Sequence, residues 1–210
     1  MLTISGKWPK KKVSLRLPFP FVLWYTNNNT KGGTAMDTGL IHIYCGDGKG
    51  KTTASLGLAV RCAGRGGRII FAQFLKGRDT GELYSLAKFD NIKVIRGEGL
   101  TKFTFQMTPE ELSQTKTAQE NLFHQIVDAC RKEQPDMVVL DEIIGTIDLG
   151  LLDEEAVLQF LQTKPAHLEV IMTGRGPSQQ LLDKADYVSE IMKRKHPFDK
   201  GIPSRIGIEE

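Results

Sequence analysis

From residue 40 onward, short runs that are apolar throughout alternate with longer segments whose apolar residues recur every three or four positions. Leu40–Tyr44, Arg68–Leu75, Ile92–Arg96, Met137–Leu140, Leu168–Met172 and Tyr187–Met192 read as strands. Between them, Thr52–Gly64 reads as a helix with Leu56, Ala59, Val60 and Ala63 on one face and Gly64 ending it. Pro109–Arg131 is the longest helical segment. Thr108 is its N-cap, Glu110 and Glu111 lie in its first turn, and Leu112, Ala118, Leu122, Ile126 and Ala129 keep helical spacing. Asp153–Leu161 and Gln179–Lys184 read as two further helices. Apolar strands separated by helices predict an α/β fold, a mostly parallel sheet with helices on both faces.

The first 35 residues break this pattern. They hold both tryptophans, the proline-interrupted stretch Leu17–Tyr25, Asn27-Asn28-Asn29 and Gly32-Gly33. A basic start before an apolar stretch suggests a signal peptide, but that stretch is short and twice broken by proline. The preferred reading is an extension outside the fold, either disordered or an artefact of the assigned start site. Met36, just ahead of the first strand, is the natural beginning of a domain spanning 36–210.

Charge divides the same way. The chain carries +3 overall, yet residues 1–35 hold six basic side chains and no acid. Residues 36–210 are left with 22 basic against 25 acidic side chains, a net of −3. A mildly acidic body argues against a nucleic-acid partner. No apolar run approaches the ~20 residues that cross a bilayer, so no membrane partner is expected. Cys45, Cys62 and Cys130 have no metal-binding spacing, and an odd number leaves one unpaired. They fit small core residues of a reducing, cytoplasmic protein.

The chemistry begins where the first strand ends. Gly46-Asp47-Gly48-Lys49-Gly50-Lys51-Thr52-Thr53 links strand to helix. Glycines there let backbone N–H groups turn toward a phosphate, and the helix N-terminus adds partial positive charge. Lys51 supplies a full charge to the terminal phosphates of a nucleotide, ATP above all, and the Thr52 hydroxyl is placed to ligate Mg²⁺. The usual P-loop places its first glycine where this chain has Cys45, so the cradle is one residue shorter, and it carries a second cation, Lys49. Met137-Val138-Val139-Leu140 then runs into Asp141 and Glu142, the usual placement of acids that hold Mg²⁺ beside such a loop. Both segments end where ligands collect in open α/β sheets.

Five stretches in order resemble the P-loop family of ATP:cob(I)alamin (corrinoid) adenosyltransferases, over nearly all of residues 38–210. They are Gly46–Thr53, Gln73-Phe74-Leu75-Lys76-Gly77, Val138–Glu142, Thr173-Gly174-Arg175-Gly176, and the tail Lys195–Gly201 through Gly207-Ile208-Glu209. The resemblance implies a P-loop NTPase-like fold. It also implies transfer of the 5′-deoxyadenosyl group of ATP to Co(I) of a reduced corrinoid, cobalamin or a precursor, in adenosylcobalamin synthesis or salvage. Triphosphate leaves. Lys51, Thr52 and Glu142 are the implied catalytic groups, with Thr52, Asp141 and Glu142 around Mg²⁺ and Arg175 on the substrate side. ATP is implied to lie reversed, with its γ-phosphate in the shortened loop. Leu100, Phe103, Phe105 and Met107 are implied to meet the corrin and keep lower ligands off the cobalt, and Phe105 stands where relatives have Trp. A flavoprotein reductant and a homodimer are further implications.

Gln73, Lys76 and Arg175 lie at strand ends near the same rim, where solvated loop residues and ligand contacts are both expected. His196 fits a structural role and is assigned no metal. Two competing readings are kept: an ordinary P-loop phosphotransferase or ATPase, which would release ADP, and a corrinoid or nucleotide carrier, which would bind without turnover.

Overall fold

A computed structural model describes residues 38–97, 99, 100, 102 and 104–209. The 1–35 extension and Phe103 lie outside the described residues. The element order is β1 (Ile41–Cys45), α1 (Lys51–Ala63), β2 (Ile69–Gln73), α2 (Gly81–Leu86), β3 (Ile92–Arg96), α3 (Pro109–Glu133), β4 (Met137–Asp141), α4 (Ile143–Asp148), α5 (Glu154–Thr163), β5 (Glu169–Thr173), α6 (Gln179–Lys184) and β6 (Tyr187–Glu190). The six strands lie in the order β3-β2-β4-β5-β1-β6, and every pairing is parallel. This is the α/β arrangement with a parallel sheet that the alternating pattern predicts, in the P-loop NTPase-like form that the resemblance implies.

Period-two alternation sorts the inner strands between two apolar layers, whereas β6 at the edge is exposed throughout. Ile41, Ile43, Ile70, Ala72, Val138, Leu140, Val170 and Met172 face α3 to α6, where Leu122, Phe123, Ile126, Val157, Phe160 and Leu181 meet them. Ile69, Phe71, Met137, Val139 and Ile171 face the other way, toward Ala59 and Ala63 of α1 and Leu86 of α2. Phe123 of α3 meets Phe160 of α5 edge-on, at 6.0 Å and 89°. Burying one side chain such as Phe71 or Ile126 contributes about 1.5–3 kcal/mol, so these two layers hold the sheet together.

Two helices are oriented differently from the sequence reading. The stripe of α1 that enters the core is Ser55, Ala59 and Ala63, whereas Val60 is exposed. A small-residue stripe lets the helix sit close on the sheet behind the phosphate loop. In α3, every buried residue lies from Gln119 onward, and Leu112 and Ala118 are exposed. The first half of this 25-residue helix is therefore held by its own cap and not by the core. The Thr108 hydroxyl accepts from the Glu111 N–H, and the Glu111 carboxylate accepts from the Thr108 N–H, a reciprocal capping box.

Candidate active site

The carboxyl ends of β2, β4, β5 and β1 deliver Gln73, Asp141, Thr173 and Cys45 to one rim, because these strands are neighbours in the sheet. The glycine loop leaves β1 there. Gly46 has φ +97, and a Cβ on it would lie 2.5 Å from the Ile191 carbonyl oxygen, so a side chain fails on both conformation and space. The Gly48 N–H donates to that same oxygen at 2.7 Å. The Asp47 carboxylate accepts from the Lys193 N–H at 2.9 Å, which holds its acid below the usual range. The segment after β6 thus fixes the outer wall of the loop.

Lys51 folds over this cradle, donating to the carbonyls of Gly46 at 2.7 Å and Gly48 at 2.9 Å. Burial lowers its pKa, and the Glu142 carboxylate opposes that shift. Lys49 reaches the tail, donating to the Ile208 carbonyl at 3.2 Å.

Asp141 is fully buried and organises the inner wall. Its Oδ1 accepts from the hydroxyls of Thr52, at 2.9 Å, and Thr173, at 2.8 Å. Its Oδ2 accepts from the Lys76 ammonium at 2.7 Å. That ammonium also lies 3.3 Å from the Thr52 hydroxyl and 3.7 Å from the Glu82 carboxylate. Leu75, just before Lys76, has φ 60, an uncommon conformation for a non-glycine residue. The Lys76 N–H donates to the Phe74 carbonyl at 2.7 Å, and Arg96 grips the Lys76 carbonyl at 3.0 Å. The chain is therefore turned so that Lys76 points back over the end of the sheet.

Glu142 also has a left-handed backbone, φ 65, pinned where its N–H donates to the Thr173 hydroxyl at 2.9 Å. Burial raises the pKa of its carboxyl, the negative Asp141 adds to the rise, and Lys76, Lys51 and Arg175 oppose it.

Lys49, Lys51, Thr52, Lys76, Glu82 and Glu142 line one cavity of about 640 Å³. Of the residues expected from the sequence, Asp47 through Thr53, Glu142 and Arg175 line it. Gly46 and Asp141 lie just behind, as supports. Phe105 is 80% exposed in a short turn, Thr104–Gln106, and is not among the cavity's walls. Leu100 and Met107 border a separate hollow of about 290 Å³ against α3. His196 lines the nucleotide-side cavity while its Nδ1 accepts from the Phe198 N–H, closing a turn at Pro197–Lys200.

The sequence reading missed the wall formed by Thr80, Gly81, Glu82 and Ser85, because α2 is too short to leave a periodic signal. It also left Lys76 open between a solvated loop residue and a ligand contact, without its partner. Spacing in one strand end could not reveal its ion pair with Asp141.

The Thr52 hydroxyl with the Asp141 and Glu142 carboxylates is an all-oxygen donor set of the kind Mg²⁺ accepts, and a cationic ammonium already lies against two of those three groups. The residues therefore fit a divalent ion whose remaining ligands come from phosphates and water. No cluster of three or more His, Cys, Asp or Glu side chains that could hold a metal unaided occurs among the described residues.

Fold and site together define a P-loop nucleotide-binding protein. The particular family follows from comparison: residues 37–209 match the family of ATP:corrinoid adenosyltransferase BtuR/CobO/CobP, and the chain belongs to it. It is 34% identical to the corrinoid adenosyltransferase CobA of Salmonella typhimurium over 174 residues, 82% of this chain and 86% of that one. The Pseudomonas aeruginosa corrinoid adenosyltransferase is 32% identical over 178 residues, 82% of this chain and 84% of its own. The corrinoid adenosyltransferase of a Sinorhizobium species is 33% identical over 213 residues, covering 99% of this chain and 97% of its own length. The activity is transfer of the adenosyl group of ATP to the cobalt of a reduced corrinoid. No helix among the described residues is long and apolar enough to cross a membrane.

Proposed function

We propose that the 640 Å³ cavity is where this chain holds ATP for that transfer, with the triphosphate in Gly46–Thr53 and C5′ directed toward the corrinoid. The observation that carries the reading is the convergence of Lys49, Lys51, Lys76 and Arg175 on one cavity beside Glu142. In the reaction, Co(I) supplies an electron pair to C5′ and a Co–C bond forms. The C5′–O bond breaks, and its electrons leave on the triphosphate oxygen. No proton need move, so the protein's task is to position the reactants, exclude water and hold the charge that develops on the leaving group.

Lys51 can exchange its two loop carbonyls for phosphate oxygens without crossing the cavity. Lys49 and Arg175 stand ready on the outer side. Thr52, Asp141 and Glu142 would hold Mg²⁺, which supplies further charge to the triphosphate when bound. Phe103, Phe105, Leu100 and Met107 form the corrin-facing segment, where apolar bulk keeps a lower ligand from the cobalt and eases reduction to Co(I). Residues 36–210 are the catalytic domain and 1–35 an extension. The acceptor is cobalamin or a precursor, the reductant a flavoprotein, the assembly a homodimer and the compartment the cytoplasm.

The test is to supply ATP, Mg²⁺ and chemically reduced corrinoid and identify the phosphate product. Triphosphate in equal amount to adenosylated corrinoid is expected, with both lost in Lys51→Ala. ADP as the product, or near-normal turnover in Lys51→Ala, would overturn the assignment.

A further inference from the structure

Asp141 is fully buried, and its Oδ2 accepts from Lys76 at 2.7 Å, while Lys76 Nζ lies 3.3 Å from the Thr52 hydroxyl. The ammonium is therefore in contact with two of the three groups that the proposed function assigns to Mg²⁺. A carboxylate oxygen and a hydroxyl cannot serve a lysine and a divalent ion from the same side at once, since two cations in contact repel strongly. The neighbourhood also offers the lysine somewhere to go. Its side chain lines the 640 Å³ cavity, it is 25% exposed, and Glu82, a wall of that cavity, lies 3.7 Å from Nζ. Its backbone, in contrast, is fixed by the left-handed turn at Leu75 and by the Arg96 bond to the Lys76 carbonyl. The side chain can swing while its root stays in place.

We propose that Lys76 is a tethered cation sharing one seat, between Thr52 and Asp141, with the divalent ion. Metal arriving with ATP displaces its ammonium from Asp141, and the ammonium turns into the cavity onto the phosphates. This rests on the reading of Thr52 and Asp141 as the metal seat. The lysine keeps the buried carboxylate neutralised before the metal arrives, and afterwards becomes an extra cation for the triphosphate. It also sets metal preference: free Mg²⁺ must compete with a built-in charge, whereas Mg²⁺ carried on ATP brings phosphates that compensate the displaced ammonium. Lys76 thus makes metal and nucleotide binding cooperative.

The experiment is Mn²⁺ titration followed by electron paramagnetic resonance, with and without ATP and with no corrinoid present, so that no turnover enters. The parent should bind Mn²⁺ weakly alone and much more tightly with ATP. Lys76→Met should bind Mn²⁺ alone about tenfold tighter or more, because a full competing charge at contact distance is gone. Its ATP-dependent gain should shrink correspondingly. Lys76→Arg, which keeps the charge, should stay near the parent. Lys76→Gln keeps a donor for Asp141 and should follow Lys76→Met in direction, which covers the case in which the methionine variant does not fold. Unchanged Mn²⁺ affinity in the Met and Gln variants would overturn the proposal while leaving the seat intact, provided Asp141→Asn weakens Mn²⁺ binding in the presence of ATP. If Asp141→Asn has no such effect, the seat itself is misassigned and the proposal falls with it.

Discussion

Replacing Thr173 with valine removes one oxygen and keeps the branched shape of the side chain. That hydroxyl is fully buried, donates to Asp141 Oδ1 at 2.8 Å and accepts from the Glu142 N–H at 2.9 Å. The first bond is to a charged group and contributes about 1.5–3 kcal/mol, and leaving the Glu142 N–H without an acceptor costs a further ~1–3 kcal/mol. Relaxation and the added methyl recover part of this, so the expected loss is about 3 kcal/mol. For a domain of this size that corresponds to a drop in Tm of roughly 6–12 °C. Thr146→Val is the internal control. Its hydroxyl donates to the Glu142 carbonyl at 2.8 Å, but that carbonyl also accepts from the Thr146 N–H at 3.0 Å, so no buried group is orphaned and only ~1 kcal/mol is expected. Urea unfolding at neutral pH measures both, with an unchanged slope and a lowered midpoint. Metal-dependent ATP binding should fall in Thr173→Val, since the left-handed turn that aims Glu142 loses its pin, whereas ATP binding in EDTA should hardly change. Equal losses in the two variants, or a loss below ~0.5 kcal/mol in Thr173→Val, would refute the claim that this hydroxyl holds the acidic turn.

Glu142→Gln should change the pH dependence of stability. Burial and Asp141 raise this carboxyl above its ordinary value, so its favourable contribution is present below that value and is lost as pH rises through the folded one. The parent should therefore weaken relative to the variant as pH rises above the ordinary carboxylate range in urea melts, and parallel curves would contradict the assignment. Phe105→Ala should leave ATP affinity close to the parent's but reduce turnover far more with Co(II) corrinoid and a reductant than with corrinoid reduced beforehand to Co(I). Equal losses under the two supplies would mean that the ring only packs.

The fold was readable because it rests on alternation that a single chain displays. Ile92–Arg96 and Gln179–Lys184 have the bounds that their patterns predict, and Thr108 caps the helix it precedes, whereas Asp153, read as the first residue of its helix, is its N-cap. What escaped depends on tertiary context. Ile143–Asp148 is β-branched and apolar enough to read as more strand, yet the left-handed Glu142 turns it into a buried helix, α4. Val60 and Leu112 share a helical period with core residues but fall where no layer covers them. At the site, the phosphate loop and the acidic pair were legible as local words. The ion pair of Lys76 with Asp141, 65 positions apart, was not, because it is made by the adjacency of β2 and β4. Phe103, on which the corrin-facing expectation partly rests, lies outside the described residues.

The bonds from the tail to the phosphate loop bear on what completes the site. A glycine loop between a strand and a helix looks like a unit that could take shape on its own. Here, however, Gly48 is fixed by the Ile191 carbonyl, Asp47 by the Lys193 N–H 146 residues later, and Lys49 by the Ile208 carbonyl. The phosphate cradle is therefore complete only with the end of the chain in place, although it lies near the beginning of the domain. A chain cut just after β6 would keep every strand of the sheet and lose all three of these bonds.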